Sequence, residues 1–334
     1  MTPETPVSTP AGEPRGGGLR VARGWLRDRP IVPLLLLLAG LVGVLEIVQP
    51  GIVSANWVAS TMRFAIPLAI LAACQTLTML TGGIDLSVAV VASMSAYVMA
   101  TTNSEFGWLG ASLLALVPAA VVGFINGVGV GLFRVHPLIM TISMSLVVSG
   151  AVNVYARSNI TGGTRVPSEI TDLGGQSLLG FLPNSLLLFI PLAVIILLAL
   201  RRSGYGRLLY AVGDNEVASR LAGVRVGWVL LVLYVISGLL AGVAGLIYAG
   251  VIGSATGRLV DPYLLPSVAA VVIGGTSIFG GRGGYAGSIV GALILTVLVT
   301  LLNVMQAPEA VRQILFGAII LAVAAAYTRI TEGN

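Results

Sequence analysis

Few side chains in this 334-residue chain could do chemistry. The most isolated is Asp85, in the stretch Thr81-Gly82-Gly83-Ile84-Asp85-Leu86-Ser87 between two apolar runs. A carboxylate in such surroundings is costly unless it is hydrated, paired or hydrogen-bonded. Three uses are open to it. It could cap the helix that follows by accepting from first-turn amides, contact a polar solute, or carry a proton. Arg282 could be its ionic partner. Asn126, Asn153, Gln75 and Asn303 are the other polar groups inside apolar runs. Amide side chains can bond the hydroxyls of a solute, and they can equally join neighbouring helices.

Several chemistries are excluded. With one cysteine, Cys74, the chain forms no internal disulfide, and its single histidine, His136, has no cysteine or histidine partner for a metal site. His136 precedes Pro137 at a helix entry, where it reads as an interfacial polar residue. No Ser/His/Asp arrangement and no paired carboxylates at useful spacing are found, so no catalytic residue, metal or cofactor is assigned. All 18 basic residues are arginine. A phosphate loop of the G-x-x-x-x-G-K-[ST] type needs its lysine to reach the terminal phosphates. If ATP drives this chain, another polypeptide binds the nucleotide. The net charge of +5 is scattered around apolar runs and forms no stripe, so nucleic acid is not an expected partner.

The elements that must position these groups are membrane helices. The chain is 56% hydrophobic and 9% charged, with mean hydropathy +0.99, whereas soluble domains carry roughly 25% charged residues. Apolar stretches of spanning length recur, so the expected fold class is all-α, a polytopic transmembrane helical bundle of about ten spans in contact with membrane lipid. The segments are 31–49, 57–80, 86–102, 108–131, 137–156, 184–200, 228–251, 264–280, 285–305 and 313–329. With the N-terminus inside, the inner loops hold thirteen of the arginines: Arg15, Arg20, Arg23, Arg27, Arg29, Arg134, Arg201, Arg202, Arg207, Arg220, Arg225, Arg282 and Arg329. The outer side holds Arg63, Arg157, Arg165, Arg258 and Arg312. This asymmetry places both termini in the cytoplasm. An eight-span arrangement with one or two re-entrant segments stays open. Residues 1–30, rich in proline and glycine, read as a disordered cytoplasmic tail, and 31–330 as the transmembrane domain. The outer loop 157–183 could dock an extracytoplasmic partner or simply connect two spans.

Glycine-rich breaks occur twice, at 81–87 and at 274–284 (GGTSIFGGRGG). Paired interruptions in the two halves of a chain often mark a transport pathway or a mobile element; the alternative is a pair of tight turns at the inner face. The glycines at 123, 127, 129 and 131 and at 238, 242, 245 and 250 suit close helix packing. The other distinctive stretch is 203–227, SGYGRLLYAVGDNEVASRLAGVRVG, a polar insert between apolar runs. Asn215 to Gly223 reads as a short helix with Val217, Leu221 and Val224 on one face and Glu216 with Arg220 as an i,i+4 pair. Its arginines put it on the cytoplasmic side, where it is placed to touch something outside the bilayer.

Three motifs in order, TGGIDLSVAVVASMSAYVMA (81–100), GRLLYAVGDNEVASRLAGVRV (206–226) and SVAAVVIGGTSIFGGRGGYAGSIVGALIL (267–295), resemble the membrane permease of bacterial ABC importers for monosaccharides of the ribose/xylose/galactose type. The resemblance covers residues 31–328. It implies a pathway built by two permease subunits, as a homodimer or heterodimer. It also implies a pair of cytoplasmic ABC ATPase subunits, and an extracytoplasmic solute-binding protein that delivers the sugar. It makes 206–225 the carrier of a coupling helix that docks in the ATPase, with Gly213, Asn215, Ala218 and Gly223 matching the family pattern and Asp214 standing where glycine is expected. Arg207 and Arg220 would pair with acidic ATPase residues, and Ala218 and Gly223 would allow close packing. Asp85, Asn126, Asn153 and Asn303 are the candidates for the translocation pathway. The competing readings are the same scaffold carrying a nucleoside, a branched-chain amino acid or an autoinducer-like sugar, a proton- or sodium-coupled carrier using Asp85, and an oligomeric scaffold without transport.

Overall fold

A computed structural model describes residues 31–158, 165–178 and 180–332, with side chains to 322. The expected tail over 1–30 lies outside the described residues. Helices α1 (Ile31–Val48), α2 (Ala55–Leu80), α3 (Val88–Gly127, continued by a π turn Val128–Leu132) and α4 (Pro137–Ser158) come first. A short helix α5 (Ser168–Gly175) and a two-residue hairpin, β1 (Ser177–Leu178) against β2 (Leu182–Pro183), fill much of the expected 157–183 loop. Then follow α6 (Leu186–Arg202), α7 (Gly204–Asp214), α8 (Glu216–Leu221), α9 (Val226–Ile252), a 3-10 turn at Asp261–Tyr263, α10 (Leu264–Ile273), α11 (Tyr285–Val304) and α12 (Glu309–Glu332).

Six described helices are long and apolar enough to cross a bilayer, and a seventh crossing arises if α6 and α7, bent by 65° at their junction, count as one. The longest of the six, 88–132, is itself a hairpin. Gly107 breaks it with φ 67° and ψ 169°. Ser95 Oγ then donates to the carbonyl of Ala115 at 3.2 Å, and Asn126 Nδ2 to Ser87 Oγ at 2.9 Å, contacts a straight helix could not make. Its two halves correspond to the expected spans 86–102 and 108–131. The expected span 264–280 is corrected. Only the ten residues of α10 are helical there, about 15 Å at 1.5 Å per residue against a hydrocarbon core of ~30 Å. The helix stops because Gly274 and Gly275 (φ 86°) open the glycine-rich break.

The bundle is centred on α2, whose residues from Ala65 to Leu80 are all buried. A helix buried on every face belongs inside other helices, not against lipid. α1, by contrast, buries only Leu45 and packs along α11 through Val297 and Leu301. Glycines form the seam between α9 and the α3 hairpin. Gly127 faces the backbone of Leu231 and Gly131 that of Gly227, while Gly242 faces Leu116 and Ser95. A side chain at these points would force the backbones apart, so glycine sets how closely the helices approach. α5 is seated on the far end of α9, with a Cβ at Gly174 falling 2.6 Å from the Ile247 carbonyl oxygen.

Candidate functional site

Asp85 stands at the start of α3, buried, in the extended segment between α2 and α3. The segment cannot pair its backbone within a helix, so side chains do it. Gln75 Nε2 donates to the Asp85 carbonyl at 2.7 Å while Gln75 Oε1 accepts from the Asp85 amide at 3.3 Å. Thr141 Oγ1 of α4 accepts from the Leu86 amide at 3.0 Å. The carboxyl accepts from the Ser87 amide (3.0 Å), the Ser87 hydroxyl (2.6 Å) and, from α9, the Ser237 hydroxyl (3.0 Å). Asn126 donates to Ser87 and so joins the network, leaving its own Oδ1 buried without a partner. Asp85 therefore accepts from Ser87, the residue just before α3, and not from a first-turn amide of that helix, and the network ties α2, both halves of the α3 hairpin, and α9 together. It makes no ion pair with Arg282: the Asp85 oxygens are taken up by hydroxyls and an amide, and the ion pairs found among the described residues are Glu216–Arg220 and Glu309–Arg312.

The two glycine-rich breaks are not separate turns. They meet, backbone against backbone, at Gly213. The Gly281 amide donates to the Leu80 carbonyl at 3.0 Å. A Cβ on Gly280 would lie 2.7 Å from the Gly213 oxygen and 3.1 Å from the Gly82 amide nitrogen, and one on Gly281 would lie 3.0 Å from the Asp214 Cα. A Cβ on Gly213 would collide with the Leu80 carbonyl. Three segments more than sixty residues apart in sequence thus share one contact, possible because glycine leaves room for it.

Gly213 lies near the end of α7, and α8 follows immediately. Ser203 caps α7 by accepting from the Gly206 amide at 2.9 Å. Asn215 ends α7 and caps α8, accepting from the Ala218 amide at 2.9 Å. Ser219 Oγ donates to the Ala211 carbonyl at 2.9 Å, pinning α8 onto α7. α8 closes with the Gly223 amide on the Arg220 carbonyl (2.9 Å) and the Val224 amide on that of Ser219 (3.0 Å). This reciprocal pair requires a left-handed residue between them, which Gly223 supplies at φ 86°. Within this chain nothing lies within 4 Å of a Cβ at Gly223, so the face it presents is open. Val224 falls beyond the helix and is half-buried against the core, while Val217 and Leu221 are 69% and 84% exposed. Glu216 and Arg220 pair as the spacing predicts. Arg207, Asp214 and Ala218 are exposed.

The remaining pathway candidates go elsewhere. Asn153 is exposed on α4. Asn303 borders a cavity of about 390 Å³ between α2, α11 and α12, whose walls include Trp57, Tyr248, Tyr263, Thr300 and Arg312. Asp85 and Asn126 are thus brought together, and Asn153 and Asn303 are not. Sequence reasoning missed Ser237, Thr141 and the aromatic wall of the cavity. The local signals were Gln75 and Ser87, ten and two residues from Asp85 in sequence.

The chain matches the family model described as branched-chain amino acid transport system / permease component over residues 57–324. It is 33% identical over 308 residues to the ribose import permease protein of Escherichia coli (strain K12), covering 90% of this chain and 93% of that protein. It is 31% identical over 297 residues to the fructose import permease protein of Rhizobium meliloti, with 87% and 82% covered. Against the galactofuranose transporter permease protein of Escherichia coli (strain K12) the figures are 34% over 263 residues, with 78% and 76% covered. No solved structure is significantly similar to it.

Proposed function

Since the chain belongs to the branched-chain amino acid transport system / permease component family, we propose that it is the transmembrane permease subunit of an ABC importer. It would move a monosaccharide or related small polar solute across the cytoplasmic membrane with ATP hydrolysed by a separate subunit. The sugar follows from the relatives named for ribose, fructose and galactofuranose. Residues 31–330 form the permease domain.

The observation that carries this reading is the seating of α7 and α8. α8 is capped at both ends and offers Val217 and Leu221 outward, an apolar pair that lipid cannot cover if α8 lies beyond the bilayer. Behind it, Gly213 touches both glycine-rich breaks. A push on α8 from an ATPase therefore reaches the ends of α2 and α10 and the start of α3 through one junction. Arg201 and Arg202 end α6, Arg207 and Arg220 lie in α7 and α8, Arg225 follows α8 and Arg282 follows Gly281, whereas Arg63, near the start of α2, reaches Ser177 and Arg165 bridges Ser254 just beyond the far end of α9. The positive-inside bias makes the junction side cytoplasmic, with both termini there. In this role Gly213 transmits the movement, Asn215 and Gly223 shape α8, and Ala218 allows a partner to approach. Arg207 and Arg220 meet acidic groups of the ATPase, and Asp214 borders the contact. A second permease copy or a related permease completes the pathway, and an extracytoplasmic binding protein docks on the α5 side.

Cysteine cross-linking tests it. Leu221→Cys in a Cys74→Ser background should cross-link to a cysteine in the surface groove of the ATPase, and a membrane-impermeant maleimide should label it in inverted vesicles. Labelling from the outside of intact cells would refute the orientation and the docking together.

A further inference from the structure

The cavity bordered by Asn303 has no part in the coupling described above, and its chemistry is specific enough to name an occupant. We propose that it binds a neutral polyhydroxylated solute and discriminates against zwitterions, an inference that rests on the import reading. Its volume of about 390 Å³ lies in the range of small-molecule sites, about 300–1,000 Å³. One wall is aromatic: the Tyr248 and Tyr263 rings are tilted with centroids 4.6 Å apart, and Phe64 meets Tyr248 edge-on at 6.5 Å. Such rings offer a flat apolar surface to the C–H face of a sugar ring.

The polar groups around it are matched to hydroxyls. Trp57 Nε1 and Arg312 Nε are buried donors without a partner. Thr296 and Thr300 donate to their own helix, at 2.8 Å and 3.0 Å, which leaves their oxygens free to accept. Asn303 is exposed and carries both a donor and an acceptor. A hydroxyl can both donate and accept, so each of these groups finds a complement in one polyol. An acyl chain would leave the two buried N–H groups unsatisfied, a penalty each would keep. A zwitterion needs an unpaired charge of each sign, and the charged groups on the walls, Glu309 and Arg312, are already paired with each other at 3.2 Å. The cavity therefore favours a sugar over the amino acid of the family's description.

The test is equilibrium binding to the purified permease–ATPase complex, read by intrinsic tryptophan fluorescence with Trp57→Phe as the reporter control. D-ribose or D-fructose at up to tens of millimolar should change the emission of the wild-type complex but not that of Trp57→Phe. Asn303→Leu should weaken the response about tenfold, the loss of one to two hydrogen bonds. Thr300→Val, a milder change, should weaken it less, and leucine and a short-chain fatty acid should produce none. The proposal is overturned if leucine or the fatty acid elicits the Trp57 response, if neither sugar does, or if Asn303→Leu binds sugar as tightly as wild type. Failure of the import reading is distinguishable. It would appear as sugar binding that persists while uptake proves independent of ATP.

Discussion

Gly213→Ala is the sharpest perturbation of the coupling route. The added methyl points at the Leu80 carbonyl and lies 2.6 Å from the Gly281 amide nitrogen, both of them backbone atoms that cannot rotate away. Overpacking of this kind costs about 1–3 kcal/mol. The Gly281–Leu80 hydrogen bond (3.0 Å) sits in the space the methyl would take, and losing it adds about 1 kcal/mol. A total of about 2–4 kcal/mol corresponds to a roughly 30- to 700-fold shift away from the closed junction. The variant should insert in the membrane and co-purify with the ATPase, because α8 itself is untouched. In proteoliposomes containing the permease, ATPase and binding protein, uptake should fall at least tenfold, and hydrolysis should lose its response to solute. Gly150→Ala, at a position with nothing within 4 Å of the new methyl, is the control and should transport normally. Wild-type uptake by Gly213→Ala would refute the idea that the junction transmits force.

Other substitutions have outcomes that follow from the same contacts. Leu221→Glu removes an apolar contact worth about 1.5–3 kcal/mol, so affinity for the ATPase, measured by surface plasmon resonance, should drop by tenfold or more with insertion unchanged. Ala218→Trp should likewise insert normally and weaken co-purification with the ATPase; unchanged co-purification would count against α8 as the docking element. Asn215→Ala, losing the cap, should cost about 1 kcal/mol and raise amide exchange across 216–221, as should Gly223→Ala, whose φ of 86° disfavours a side chain by ~1 kcal/mol or more. Asp85→Ala strips acceptors from Ser87 and Ser237 and should destabilise the detergent-solubilised protein by at least ~2 kcal/mol, seen as a lower Tm. Asp85→Asn keeps an acceptor and should retain ATP-dependent uptake, whereas its abolition together with an ion-gradient requirement would identify a proton- or sodium-coupled carrier.

Much of the fold was legible because its signals are local. The glycines of α3 and α9 recur at helical spacing in apolar runs, where close approach is their plainest use, and they form the seam. Asn215, Glu216, Arg220 and Gly223 lie within nine residues and define both ends of α8. The expected span 264–280 misled because hydropathy averages across Gly274 and Gly275, which are apolar enough to extend a run but end the helix. The Asp85 network was half visible. Gln75 and Ser87 are near in sequence, but Ser237 lies 152 residues away, and Arg282 was a plausible partner on charge alone. The Gly213 junction and the aromatic cavity are assembled from segments distant in the chain, and no local pattern encodes which of them meet.

Proteoliposome uptake with defined components tests the central claim most directly. The permease, its ATPase and a binding protein are reconstituted together and singly, with ATP inside or absent. The account predicts accumulation of a monosaccharide only when all the components and ATP are present. Accumulation by the permease alone, driven by an ion gradient without nucleotide, would contradict it.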